Sequence, residues 1–217
     1  PNVEQSYAVE LVRKGIHLCS LSIPIIYYFI PKSTALSILI PLTLAFGLSD
    51  LARVYHPPTR QLYHRLFGWL LRKHELDEQA RNLNGATYVL LSACIFLWLL
   101  PKVVFITAFS ILIVSDTLAA LVGRRFGRRA FLRKTLEGAV AFFISALVVV
   151  ALTPKVGNAA GEYAAGAAAA LIGTVVEAWG FPLDDNLLIP LSVGLSLWIF
   201  YAAFLPALDV YALDALR

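Results

Sequence analysis

Asp116 stands inside SDTLAALVGRRFGRR (residues 115–129), directly after the apolar run KVVFITAFSILIV. A carboxylate at membrane depth costs some kcal/mol and is a functional candidate by default. At a rise of about 1.5 Å per residue, Asp116 sits about 10 Å before Gly123. Its helix face continues through Ala120 and Gly123, small residues that admit a ligand or a neighbouring backbone. Glu177 is a second acid set back from the end of an apolar run. Beyond Gly123 the basic loop GRRFGRRAFLRKTLEG brings Arg124, Lys134 and a candidate N-cap, Thr135, close in sequence. Gly123 and Gly127 permit backbone conformations that other residues resist. Cations around a capped helix start suit a polyphosphate, whereas Arg128 and Arg129 read better as lipid head-group contacts. Glu137 shares a face with Lys134 and is expected to face Asp116 as a metal or phosphate organiser. Further on, EAWGFPLDDNLLIP supplies Asp184, Asp185 and Asn186. One of them caps the next helix, and the set exceeds what a cap requires. Acids opposite a basic pocket are the parts of magnesium-assisted phosphoryl transfer: oxygen ligands for Mg2+ and cations for the phosphates.

The N-terminal RKGIH adds Arg13 and His17 on one helix face, with Lys14 beside them. Topology alone accounts for Arg13 and Lys14, and His17 fits equally a base, a ligand or an interfacial filler. No GxxxxGK[ST] loop exists, because Arg133 precedes Lys134-Thr135. A nucleotide must therefore be held in another way.

The elements that position these residues are apolar helices. Of 217 residues, 59% are hydrophobic and 15% charged, a balance that belongs to a membrane protein. Seven candidate spans fall at about 15–31, 34–49, 84–100, 103–123, 136–153, 163–180 and 186–205. The first two are short and interrupted by Pro24 and Pro41. The first run lacks a small-x-small cleavage site, so it reads as a span rather than a signal peptide. The Ala/Gly stretch AAGAAAALIG suits close helix packing. Cys19 and Cys94 read as buried small hydrophobes. The chain contains no Met, and an initiator and some preceding residues are expected outside this numbering.

With the N-terminus in the cytoplasm, fourteen Lys and Arg fall on the cytoplasmic side and four on the other. The net charge of +4 is therefore topology rather than a nucleic-acid footprint. Eleven of the fourteen acids fall on the same side. The loop over about 50–83 carries Leu62, Leu66, Trp69, Leu70 and Lys73 at helical spacing. That pattern fits a helix in the interface plane and equally one packed on the bundle.

Five motifs in order make the chain resemble the dolichol kinase, phytol kinase and diacylglycerol kinase superfamily of CTP-dependent lipid kinases. They are Arg13-Lys14…His17; Arg72…Glu75 with Asn84–Tyr88; Asp116-Thr117…Ala119…Gly123-Arg124…Gly127; Lys134-Thr135…Glu137-Gly138; and Glu177…Pro182…Asp184-Asp185-Asn186…Pro190. The resemblance spans nearly the whole chain. It implies a single membrane-embedded kinase domain, residues 1–217, that phosphorylates a membrane lipid alcohol with CTP and a divalent metal. The expected architecture is all-α, with about seven transmembrane helices plus one interfacial amphipathic helix and the site at the cytoplasmic face. The loop 123–135 would bind the nucleotide.

In that reading Asp116, Glu177, Asp184 and Asp185 are the metal candidates. Arg13, Lys14, Gly123, Arg124, Gly127, Lys134, Thr135 and Asn186 are the nucleotide candidates. Catalysis falls to Asp116, Glu137, Lys134 and His17. A carboxylate is preferred over His17 as the base, because loose phosphoryl transfer asks little of one. The third and fourth motifs are also similar to the nucleotide region of phosphatidate cytidylyltransferases, whose longer C-terminal signature is absent here. A non-enzymatic lipid transporter is a further alternative; its polar residues should line a path through the membrane, and the half of the membrane away from the cytoplasm is nearly uncharged.

Overall fold

A computed structural model describes residues 7–69 and 83–215. These residues form α1 (Tyr7–Cys19), α2 (Ser22–Phe29), α3 (Lys32–Tyr55), α4 (Pro57–Phe67), α5 (Gly85–Leu99) and α6 (Lys102–Phe126). A short hairpin follows, β1 (Ala130–Phe131) with β2 (Lys134–Thr135), and then α7 (Leu136–Leu152), α8 (Ala160–Trp179) and α9 (Asp185–Phe204). The all-α expectation therefore holds. Among the described residues three helices, α3, α6 and α9, are long and apolar enough to cross a membrane, and α5 and α7 are apolar but shorter.

The centre of the bundle is α6, on which α1, α2, α5, α7 and α9 all pack. Nearly every side chain from Lys102 to Ile113 is buried, including Phe105 and Phe109, whose rings stack at 5.1 Å. Around it the outward faces of α3, α7 and α9 expose residues such as Ile38, Leu48, Ile144 and Ile199. That inversion, apolar outside as well as inside, is what a lipid solvent allows. The small residues of α8 behave as expected. A Cβ added at Gly173 would lie 2.5 Å from Val193 Cγ2, and one at Gly166 would lie 2.5 Å from Val150 Cγ1. Helices without a hydrophobic driving force between them gain by such close approach.

The first expected span is not one helix. The chain breaks at Ser20 and Leu21, leaving an amphipathic α1 and an eight-residue α2. Pro24 is the cause: it lacks an N–H and its ring would collide with the carbonyl four residues back, so a new helix starts where Pro24 falls in the first turn. Pro41, by contrast, does not interrupt α3, which runs 24 residues and passes well beyond the expected limit at 49. Cys19 is exposed and Cys94 half-buried, so the expectation of two buried thiols fails. The proposed amphipathic stretch is seen in part: α4 packs on α3 and leaves Leu62 and Leu66 exposed, with Trp69 exposed after it. Leu70, Lys73 and the motif pair Arg72…Glu75 lie outside the described residues.

Sequence reading passed over Asp50 and took Arg53 for topology alone, yet they lock the α3–α5 corner. Arg53 Nε donates to Asp50 Oδ1 (2.7 Å), and the backbone N–H of Asn84 donates to Asp50 Oδ2 (2.6 Å). Asn84 in turn caps α5 by accepting from Thr87 N (2.9 Å) and donates to Tyr63 Oη (3.0 Å). Asp50 is 0% and Arg53 4% exposed. Removing one partner of a buried ion pair costs about 3–5 kcal/mol, because the other charge stays buried. Asp50→Ala is therefore expected to lower the unfolding free energy by about that amount, read from denaturation of the purified protein in detergent. A change within error would show that Arg53 reaches water.

Candidate functional site

Asp116 is held from α1. Lys14 Nζ donates to Asp116 Oδ2 (2.6 Å) and to the Asp116 carbonyl (3.3 Å), and His17 Nε2 stands 3.7 Å from the same carboxylate oxygen. Both Lys14 and Asp116 are largely buried. A second acid, Glu10, accepts from Arg13 (3.1 Å) and lies 3.3 Å from Arg124 Nη2, joining α1 to the end of α6. Sequence reading missed Glu10. Its signal is the i, i+3 spacing to Arg13 on a face that stays polar through Lys14 and His17.

The loop between α6 and α7 is shaped by a close contact of backbones. A Cβ on Gly138 would meet the Ala119 carbonyl at 3.0 Å and lie 3.4 Å from Gly123 Cα. Gly127 is equally constrained, because a Cβ there would run into the Gly123 carbonyl and Thr135. Its role is packing, and it lines neither of the cavities described below. Thr135 caps α7 as expected, accepting from Gly138 N (3.3 Å). The hairpin registers Phe131 with Lys134 and is pinned to the end of α8 by Arg133, whose N–H donates to Ala178 O (3.1 Å) and whose Nη1 donates to Gly180 O (3.1 Å). Gly180 takes the left-handed conformation (φ 61°) that ends α8.

That pinning aims Lys134 at two acids. Its Nζ donates to Glu177 Oε1 (2.6 Å) and Asp185 Oδ2 (3.0 Å). Burial alone would lower the ammonium's pKa, but Asp185 and Glu177 outweigh it and hold the pKa above the ordinary lysine value. Asp184 is the N-cap of α9 and accepts from the backbone and side-chain nitrogens of Asn186 (2.9 and 2.7 Å). Glu137 accepts from the backbone N–H groups of Arg128 and Arg129 (3.1 and 3.3 Å). Its carboxylate is turned to the loop instead of facing Asp116, because two loop amides offer it partners closer in sequence.

Two cavities meet at the Lys14–Asp116 pair, which lines both. One, of about 320 Å3, is charged and takes its walls from Glu10, Gly123, Arg124, Lys134, Thr135, Gly138, Glu177 and Asp185. The other, of about 200 Å3, is bounded by Ile16, Phe46, Tyr63, Phe67 and Val89, with Arg13, His17, Asn84 and Asn186 among its polar lining. The structure thus brings Lys14, Asp116, Gly123, Arg124, Lys134, Thr135, Glu177 and Asp185 together. It puts Arg13, His17 and Asn186 on the apolar side. Among the described residues no three His, Cys, Asp or Glu side chains form a metal-binding group of their own. The four acids expected at a metal divide into the Lys14-bound Asp116, the Lys134-bound pair Glu177 and Asp185, and the capping Asp184.

Fold and site together describe a helical protein with membrane-length helices and a charged cavity walled by the ends of several of them. No protein-family model matches the chain, and no solved structure matches it. It is 29% identical to an uncharacterized protein of Rickettsia prowazekii (strain Madrid E) over 198 residues, 90% of this chain and 97% of that one. It is 30% identical to the CTP-dependent diacylglycerol kinase 1 of Saccharomyces cerevisiae over 140 residues, 62% of this chain and 47% of the yeast protein. The matched region spans about half the length of that kinase. This partial likeness agrees in kind with the kinase resemblance carried by the five motifs.

The glycine contact gives a direct test of how the charged cavity is built. Gly138→Ala forces α6 and α7 apart and is expected to cost about 1–3 kcal/mol, as overpacking does. Gly15, in α1, has open space where a Cβ would go. Gly15→Ala should be neutral or stabilise by up to about 1 kcal/mol. Thermal unfolding in detergent measures both, and equal effects would contradict the packing argument.

Proposed function

We propose that the protein is a CTP-dependent kinase of a membrane lipid alcohol, multi-pass, with its N-terminus and site on the cytoplasmic face. The observation that carries this reading is the Lys14–Asp116 pair standing where a charged cavity meets an apolar one. A phosphoryl donor and a lipid acceptor differ in just this way, and a transfer enzyme must bring them to one carboxylate. The fourteen-to-four split of Lys and Arg supports the orientation, and the likeness to the yeast kinase supports CTP as donor.

The charged cavity suits a polyphosphate. Lys134 and Arg124 offer cations, and on the loop side the α7 start presents its capped first turn. Mg2+ typically takes one or two carboxylates and completes its shell with water and substrate phosphates. Glu177 and Asp185, adjacent on Lys134, fit that donor set, so the lack of a three-ligand cluster is no obstacle. Bound there, the ion would neutralise phosphate charge.

The rest is the work of the chain. Lys134, released from part of its acid contact as phosphate arrives, would neutralise charge that grows on the transferred group. Asp116 faces the acceptor and is oriented by Lys14 and His17. The alcohol oxygen bonds to the γ-phosphorus, the bond from that phosphorus to its bridging oxygen breaks, and CDP leaves. The hydroxyl proton passes to Asp116 and then to solvent. A loose transition state asks little of the base.

With CTP labelled in the γ-phosphate and a lipid-alcohol panel, the label is expected in the lipid. Label appearing in pyrophosphate would instead favour a phosphatidate cytidylyltransferase, and no CTP turnover on any lipid would favour a transporter. Asp116→Asn is expected to lower kcat about 10²–10⁴-fold while the protein remains folded and membrane-inserted. Turnover near that of the unchanged protein would remove Asp116 from the mechanism.

A further inference from the structure

The smaller cavity has a graded lining. At its mouth Ile16, Phe46 and Phe67, from α1, α3 and α4, are 53%, 41% and 45% exposed. At its floor Lys14, Asn84 and Asn186 are buried, and Asp116 and His17 nearly so. The mouth lies between helices whose main packing partners differ: α1 packs on α6, whereas α3 packs on α5 and α4. Apolar side chains left exposed around an opening suit contact with lipid tails, as an entrance from the bilayer would require. At about 200 Å3 it is smaller than the roughly 300–1,000 Å3 of pockets that enclose a whole ligand. It holds a head and leaves the tail outside.

Two features of the floor go beyond what an alcohol alone requires. Asn84 Nδ2 donates to Tyr63 Oη and Asn186 Nδ2 donates to Asp184 Oδ1, each through one bond. An amide nitrogen carries two N–H donors, so each retains one in a buried, largely apolar enclosure. Filled with hydrocarbon, such a site leaves both donors without acceptors. A glycerol diester supplies two ester carbonyls next to its free hydroxyl.

We propose that this cavity is the acceptor site, entered sideways from the bilayer, and that Asn84 and Asn186 select a diacylglycerol head by donating to its ester carbonyls. This rests on the kinase reading. It adds the acceptor's chemical class, its route and the two specificity-determining residues, none of which touches the phosphate cavity.

The test uses the full chain in nanodiscs with γ-labelled CTP and two acceptors, dioleoylglycerol and a C55 polyprenol. The diester is expected to exceed the polyprenol by about 10²-fold or more in kcat/KM, because a site built to hydrogen-bond a group rejects an analogue without it. Asn186→Leu should raise the KM for dioleoylglycerol about tenfold or more, with the KM for CTP unchanged and the preference over polyprenol reduced. Since Asn84 also caps α5, Ala86→Trp serves as the second variant. Ala86 is exposed and lines the cavity, so a large ring there obstructs the acceptor without entering the core. It should raise the KM for the lipid and spare that for CTP. Polyprenol phosphorylated as well as the diester, or both variants leaving the lipid KM unchanged, overturns the acceptor assignment and leaves the kinase reading standing. If neither of these nor any other alcohol of the lipid panel accepts label while CTP is consumed, both fall together.

Discussion

An acid in the middle of an apolar helix is stable only if something brings it a positive charge, and here that is Lys14 of α1 at 2.6 Å. Much of the architecture at this end follows from the pairing. Lys14 reaches Asp116 from α1, an amphipathic helix that packs on α6, and the break at Ser20–Leu21 that Pro24 imposes leaves that helix separate from α2. Breaking one member of such a pair costs several kcal/mol, whereas an apolar replacement of both would cost little. Stability alone therefore does not explain why the pair is there. A charge kept at a cost, at the meeting of two cavities, is the expected mark of a site.

The opposite wall depends on a different constraint, the approach of two backbones. Gly123 and Gly138 let α6 meet the start of α7 without side chains between them, which sets the hairpin low against the bundle. Arg133 ties that hairpin to the left-handed end of α8, and Lys134, the next residue, is thereby aimed at Glu177 and Asp185. Three separate segments contribute one ionic cluster, and Lys134 enters it from the hairpin that Gly123 and Gly138 bring against the end of α6. Geometry rather than charge count decides whether these residues form a pocket.

How much of this the sequence discloses depends on whether the signal is local. The helix ends at Thr135 and Asp184 are legible, because a cap is a matter of one side chain and the next three amides. The apolar runs are legible as helices for the same reason, and the small-residue stretch of α8 announces close packing. The break before Pro24 and the persistence of α3 through Pro41 are not separable by eye. Proline ends a helix when its ring and missing N–H fall beyond the first turn and no neighbour compensates, and the neighbours are tertiary. Glu137 shows the same limit in the site. Its spacing from Lys134 is right for a shared face, but two loop amides that come near only through the hairpin claim its carboxylate. Asp50 and Glu10 escaped notice because each lies beside a basic residue already accounted for by topology. The motif makes Asn186 a nucleotide candidate, yet the roughly 100° step from Asp185 to the next residue of α9 carries it to the apolar cavity.

The separation of the two cavities also addresses a difficulty that any lipid kinase would face. Water is a competing acceptor at high concentration, and a carboxylate poised beside a polyphosphate would activate it as readily as a lipid hydroxyl. In this structure the face of Asp116 toward α5 is reached through an enclosure walled by Phe46, Phe67 and Val89, which is costly for water to occupy in numbers. The buried polar groups Lys14, Asn84, Asn186 and Asp116 line the same cavity, where a hydroxyl and its neighbouring acceptors would fit. On the kinase reading, an ion pair that lines both cavities would let the same acid meet an ionic donor on one side and a membrane-borne acceptor on the other. On the proposed reading, discrimination against water is thus built into the walls of the site and does not require a moving lid.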